Sequence, residues 1–344
     1  MAKNLRELVE CGTVRIAQLP KKNELSPASL DSLDGYTVPL IAHDYGAKTP
    51  VMWNTVYRTL GLNLRNVMVV GDPENAKEIL ETFREDPKYL GGGAGVGFKE
   101  VVIPYLDETV PSDLKAVNII VKREGRLVGY NTDSKGLYLS VREALKKTGK
   151  NVGESRVAIF GAGGVAKEFA RELAFHGVKR IVLINRTFRK AVAIAHELNE
   201  KYGRDVAYAI SEDMTRGAVL NTIEKLDAIV NCTDKGSDGP LVQMSAFAPA
   251  DPKFNNTHSI DVLRLLKQWN PEVVIVDIVL PKNGRSITLR HAESAGLENL
   301  VDGIPMVINQ AAPAYKLVES AHPEVHAKTL PESEILKIMK EAAQ

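Results

Sequence analysis

Cysteine is nearly absent: the 344 residues hold two, Cys11 and Cys232. Two thiols build no disulfide framework, and neither has a second Cys or a His at zinc-ligand spacing, so a reducing compartment is expected and a metal site is not. Long apolar runs are missing too. The most apolar stretch, 273–280, is broken by Asp277 and falls well short of the ~20 residues a membrane span needs. The first residues carry Lys3, Arg6, Glu7 and Glu10 and do not read as a secretory signal. Charge of one sign is also lacking: 44 Lys plus Arg face 43 Asp plus Glu, without the basic excess that grips a phosphate backbone. These absences predict a cytoplasmic protein whose partners include neither membrane nor nucleic acid.

What is present is ordinary globular composition, 44% hydrophobic and 25% charged, in a chain long enough for two domains. Short β-branched runs at 37–42 and 66–70 alternate with helical patterns, the signature of βαβ units and an α/β fold. Thr49 and Pro50 read as the N-cap and first residue of a helix with Val51, Trp53, Val56, Tyr57 and Leu60 on its apolar face. The stretch 91–97 holds five glycines in seven residues, too many for a comfortable strand, so a close approach or a sharp turn is expected there. A hairpin at 118–130 precedes a helix that Asp133 is placed to cap. From residue 156 onward the alternation becomes regular, with strands at 156–160, 180–184, 228–232 and 273–279. That pattern predicts a doubly wound half. The last apolar helices are expected at 304–318 and 332–343.

The first strand of that half runs into Gly161-Ala162-Gly163-Gly164-Val165-Ala166, which matches the Gly-x-Gly-x-x-Gly/Ala turn that sets a pyrophosphate at a helix N-terminus. The second strand ends not in the acid that holds an NAD ribose but in Asn185-Arg186-Thr187, followed by Arg189 and Lys190. An arginine clamps a 2′-phosphate that a carboxylate would repel, so the cofactor expected is NADP.

Lys99, Asn118 and Asp133 carry the chemistry, because reducing a carbonyl needs a proton donor and a lysine beside a carboxylate provides one. In order along the chain stand Lys99-Glu100, Lys115-Ala116-Val117-Asn118, the hairpin, and Asn131-Thr132-Asp133 followed by Gly136. With Thr49-Pro50 through Asn54, Asn185-Arg186-Thr187 with Lys190, Val230-Asn231-Cys232-Thr233, Asp277-Ile278-Val279, and Gly303 through Gln310, these motifs resemble the shikimate dehydrogenase family in one register from about residue 39 to 318. The resemblance implies Lys99 and Asp133 as a catalytic pair, with Thr49, Asn118 and Gln310 on the substrate. It implies Gly161, Gly163, Gly164, Ala166, Asn185, Arg186, Thr187, Lys190, Thr233, Gly303 and Met306 on the cofactor. It further implies reversible reduction of a 3-dehydroshikimate-like ketone in the shikimate pathway of aromatic amino acid biosynthesis, by a monomer or homodimer. An α/β substrate domain at 1–134, completed by helices at 304–344, would join a Rossmann NADP-binding domain at 135–303. Hinges near 131–136 and Gly303 would let a cleft between the two close and exclude water.

The departures cluster on the substrate side. The family's Asn-Val-Thr-x-Pro-x-Lys aligns with Gly93, Gly95, Gly97 and Lys99, and its first carboxylate-binding Ser aligns with Ala47. Its His falls at Trp53, and the Tyr that often follows Asp-Val-Val falls at Leu280. A pocket roomier near 93–97, less polar at Ala47 and Leu280, and aromatic at Trp53 is expected, with quinate, an aminoshikimate or another cyclic polyol as alternative substrates. Lys48 is read as an exposed lysine. A homologue that senses a metabolite without turnover is the reading from another class. An enzyme of methylenetetrahydrofolate dehydrogenase type fits the Asn131 and Asn185 motifs less well.

Overall fold

Two large sheets, each flanked by helices, organise the described residues. The computed structural model describes residues 4–17, 35–43, 48–212, 225–281 and 284–343. Their contacts divide the chain into two units, Met1–Asp133 with Ile308–Gln344, and Ser134–Val307.

The first unit opens with α1 (Leu5–Glu10), β1 (Val14–Ile16), β2 (Tyr36–Thr37), β3 (Leu40–Ala42) and α2 (Thr49–Leu60). It continues through β4 (Leu64–Arg65), β5 (Met68–Gly71), α3 (Ala76–Glu85), β6 (Gly91–Ala94), β7 (Glu108–Val110), β8 (Ile119–Arg123) and β9 (Arg126–Tyr130). Its main sheet runs β1-β5-β3-β6-β8-β9-β7. β3 lies parallel to β5 and β6, and β8 antiparallel to β6 and β9. Because side chains alternate across a strand, Ile41, Val69, Ala94 and Ile120 face α1 and α3, while Val38, Ile119 and Val121 pack with α2.

β6 overturns the expectation that so many glycines would not form a strand. Glycine is needed because a Cβ at Gly92 would lie 2.1 Å from the Pro39 carbonyl oxygen and one at Gly93 would lie 2.5 Å from Leu40 Cδ1. Close approach is borne out here, and the sharp turn follows directly after β6, where Gly97 has φ +83° and the Phe98 N–H donates to the Gly95 carbonyl at 3.0 Å.

α4 (Asp133–Lys147) leads into the second unit: β10 (Arg156–Phe160), α5 (Gly164–Phe175), β11 (Arg180–Asn185), α6 (Phe188–Tyr202), β12 (Ala207–Ser211), β13 (Ala228–Asn231), α7 (Asn255–Trp269), β14 (Val274–Asp277), α8 (Ile287–Ser294), β15 (Leu300–Val301) and α9 (Ile304–Asn309). All six strands are parallel, ordered β12-β11-β10-β13-β14-β15. This is the doubly wound arrangement, with its switch point between β10 and β13. Helices cover both faces, which is why β10 reads as unbroken apolar sequence: Val157 and Ile159 pack toward α5 and α6, Ala158 and Phe160 toward α7 and α8.

The chain then returns to the first unit as α10 (Ala311–Ala321) and α11 (Glu332–Ala342). The single helix expected over 304–318 is thus two. Pro313 has no N–H to give the Asn309 carbonyl, and the helix breaks there, leaving Gln310 at the N-cap of α10. Among the described residues no helix is long and apolar enough to cross a membrane, and no group of three or more His, Cys, Asp or Glu is placed to hold a metal ion.

Candidate active site

Four segments of the first unit converge on one polar cluster. Ile119 pairs with Tyr130 in the β8–β9 ladder, which sets Asn118 beside the Asn131-Thr132-Asp133 segment. Lys99 lies on the turn after β6, where its carbonyl accepts the Val117 N–H at 2.8 Å. Lys99 Nζ stands 2.5 Å from Asp133 Oδ2. Asn118 Nδ2 approaches the other carboxylate oxygen at 2.9 Å and Gln310 Oε1 at 3.1 Å. Thr132, which the sequence reading passed over, donates its hydroxyl to Gln310 Oε1 at 3.0 Å and its N–H to Asn118 Oδ1 at 2.8 Å. Its place inside the Asn131-Thr132-Asp133 motif was the available signal.

Asp133 is not the cap of α4 but its first residue. Its N–H donates to Asn131 Oδ1 at 2.9 Å, so Asn131 takes the capping contact and the Asp133 carboxylate turns to Lys99 and Asn118. Asp133 is 7% exposed, whereas the Lys99 side chain is 38% exposed. An ammonium reachable from solvent, held by a buried carboxylate with its own amide partner, can hand a proton to an oxygen placed beside it.

Thr49 is the first helical residue of α2 rather than its cap, which is Lys48. Lys48 is more than an exposed lysine: its Nζ donates to the Ala343 carbonyl at 2.8 Å. Trp53 does not line a pocket. It is 2% exposed and packs edge-on against Tyr57 and Tyr315, because the apolar face of α2 turns it into the core. Nor is the glycine run roomy, since Leu40 and Ala42 occupy the space that side chains at 93 and 95 would take. Leu280 is exposed, and Ala47 lies outside the described residues.

The second unit carries the residues read as a dinucleotide site at the carboxyl ends of its strands. Gly161 has φ +112°, and a Cβ there would lie 2.8 Å from the Cys232 carbonyl oxygen, so only glycine fits the switch point. Gly163 caps α5 with no side chain on the first N–H groups, Gly164 starts the helix exposed, and Ala166 is buried beneath it. At the end of β11 the side-chain amide of Asn185 donates to the Thr187 carbonyl, while Arg186, Arg189 and Lys190 are exposed. Glu212, whose N–H bonds the Asn185 carbonyl, has its charge met by the buried ammonium of Lys235. The strand end therefore stays electropositive and fits a 2′-phosphate.

Thr233 donates to Asn231 Oδ1 at 2.7 Å, and Asn231 Nδ2 in turn reaches the buried Asp277 at 2.9 Å. Burial pushes the Asp277 carboxyl up, against hydrogen bonds from Ser286, the Val279 N–H and Asn231. Gly303 is buried, and a Cβ there would lie 2.6 Å from the Ile278 carbonyl oxygen. The Met306 side chain packs into the core with the Leu137 face of α4.

The model of the shikimate/quinate 5-dehydrogenase family matches residues 142–299, and that of the shikimate dehydrogenase substrate-binding domain matches 42–120. The chain belongs to the shikimate dehydrogenase family. The NADP(+) shikimate dehydrogenase of Halothermothrix orenii is 30% identical to it over 306 residues, 86% of this chain and 95% of that one. The Streptococcus mutans enzyme of the same name is 30% identical over 302 residues, 83% and 92% of the two chains. A solved shikimate 5-dehydrogenase of Listeria monocytogenes, in complex with shikimate and NAD, is 25% identical with a TM-score of 0.65, over 89% of this chain and 96% of that one.

Proposed function

We propose that this family member is an NADP-dependent oxidoreductase that reversibly reduces a 3-dehydroshikimate-like cyclic ketone to its alcohol. The observation that carries the reading is the Lys99–Asp133 ion pair, 2.5 Å long and flanked by two side-chain amides. When bound, the reduced nicotinamide supplies a hydride. Lys99 gives a proton to the ketone oxygen as negative charge develops there, and takes it back in the reverse direction. Asp133 aims the ammonium and balances its charge, and Asn118 fixes the Asp133 rotamer. Asn118 and Gln310 exchange their mutual hydrogen bond for bonds to substrate hydroxyls, and the Thr49 hydroxyl meets the substrate carboxylate. Gly161, Gly163, Gly164 and Ala166 cradle the pyrophosphate. Arg186 takes the 2′-phosphate with Asn185, Thr187 and Lys190, and Thr233, Gly303 and Met306 complete the nucleotide side.

Purified protein with NADP and shikimate, quinate or an aminoshikimate should generate reduced-cofactor absorbance. Lys99→Ala should lower turnover at least about 100-fold while leaving NADP binding intact; unchanged turnover in that variant would overturn the assignment. Tight NADP binding with no turnover of any polyol would make the chain a sensor instead.

A further inference from the structure

β6 offers its face to the polar cluster without a single side chain larger than alanine, because it reads Gly91-Gly92-Gly93-Ala94. Gly91, Gly93 and Gly95 share one face, and α10 packs on it: a Cβ at Gly91 would lie 3.3 Å from Val318 Cγ2. Gln310 stands eight residues earlier, about 12 Å along the helix. It meets Asn118, whose carbonyl accepts the Ala94 N–H at 3.0 Å, so Gln310 lies at the Gly95 end of that face. Beneath Gly93 and Gly95 lies hydrocarbon, apart from the Ile41 carbonyl oxygen, 3.2 Å from a Cβ at 95, which already accepts the Gly95 N–H at 2.7 Å. Leu40 Cδ1 would sit 2.5 Å and 3.6 Å from Cβ atoms at 93 and 95, and Ala42 Cβ would sit 3.0 Å from the latter. Leu40 and Ala42 continue into a buried apolar patch with Met68 and Val70.

The backbone adds no donor. The N–H groups of Gly93, Ala94 and Gly95 are all spent on the carbonyls of Pro39, Asn118 and Ile41.

We propose that Leu40 is a specificity-determining residue, forming with Gly93 and Gly95 an apolar floor that selects a cyclic hydroxy acid whose edge against β3 and β6 carries hydrogen in place of a hydroxyl. This rests on the dehydrogenase reading above. A hydroxyl brought against this floor leaves water and finds no donor, which disfavours it, whereas a CH₂ edge gains contact with Leu40. The hydroxyls that Asn118 and Gln310 can bind lie on the other edge of the ring.

The test uses shikimate and its 4-deoxy and 5-deoxy analogues, titrated calorimetrically into the NADP-loaded protein and assayed for cofactor reduction. One monodeoxy acid should bind about tenfold or more tighter than shikimate. If both bind no tighter than shikimate, the proposal is overturned without recourse to any variant. In the double variant Leu40→Ala/Gly93→Asn, which gives the new amide the space Leu40 now fills, the preference should shift toward shikimate by at least about tenfold. An unchanged ratio in a variant with wild-type circular dichroism also overturns the proposal. A binding preference without cofactor reduction by any of the three acids refutes the dehydrogenase reading and leaves the apolar floor standing.

Discussion

Asn118 and Lys99 divide the Asp133 carboxylate between them, the amide at 2.9 Å from Oδ1 and the ammonium at 2.5 Å from Oδ2. Each oxygen thus has its own donor, and the carboxylate cannot swing away from Lys99 without abandoning Asn118. Asn118→Ala should lower kcat roughly ten- to hundredfold, because a hydrogen bond to a charged group is worth about 1.5–3 kcal/mol. Steady-state kinetics on shikimate checks this. An unchanged kcat would mean that Asp133 holds its place without the amide.

Asp133→Asn keeps the shape and removes the charge that faces Lys99. Turnover should fall at least about 100-fold with little change in NADP affinity. A binding titration beside the rate measurement separates the two effects.

At the β11 end, Arg186→Ala should raise the KM for NADP about ten- to hundredfold and leave that for NAD nearly unchanged, since only one of them carries the 2′-phosphate. Equal increases for both cofactors would place the 2′-phosphate elsewhere.

Gly161→Ala combines an unfavourable backbone conformation at φ +112° with a Cβ 2.8 Å from a carbonyl oxygen. It should destabilise the second unit by about 1–3 kcal/mol and weaken NADPH binding. Thermal unfolding with and without the nucleotide would report both.

His326 supplies a pH signature. It is 2% exposed, and burial holds its imidazole below the ordinary value of 6.5, partly offset by the His322 carbonyl. A folded value below the unfolded one gives stability that is complete above about pH 6.5 and is lost as pH falls toward the folded value. Its ring lies 5.9 Å from Tyr315, which contacts Trp53, so Trp53 fluorescence in a Trp269→Phe background follows this unit. The midpoint of unfolding should drop on acidification from pH 7 to 5, and His326→Gln should flatten that drop.

The doubly wound half was legible because parallel strands buried on both faces write unbroken apolar runs, as at Val157 through Phe160. Lys99, Asn118, Asp133 and Gln310 could be picked out by motif, but that Asn118 would bridge Asp133 and Gln310 depends on a hairpin register and a helix break that no single motif carries. Short edge elements such as β7 and β15, of three and two residues, went unread, having too few residues to show a period. The capping role that its sequence position gives Asp133 is not taken up, because Lys99 and Asn118 draw its carboxylate away from the first turn of α4 while the Asn131 side chain accepts the Asp133 N–H. The glycine run misled in another way: glycine announces that space is tight or that space is free, and only the neighbour, here Leu40, decides which.

The return of α10 and α11 bears on how the molecule is made. Ala311, Tyr315, Val318, Ile335 and Met339 close the core that Met52, Trp53, Val56 and Tyr57 begin. On a ribosome adding about 5–20 residues per second, roughly 13 to 50 s separate the emergence of the two halves of that core. The second unit, contiguous from Ser134 to Val307, can complete itself within that interval. The first part of the chain to be synthesised is therefore the last to be finished, and α2 waits with Trp53 and Tyr57 uncovered until the C-terminal helices arrive.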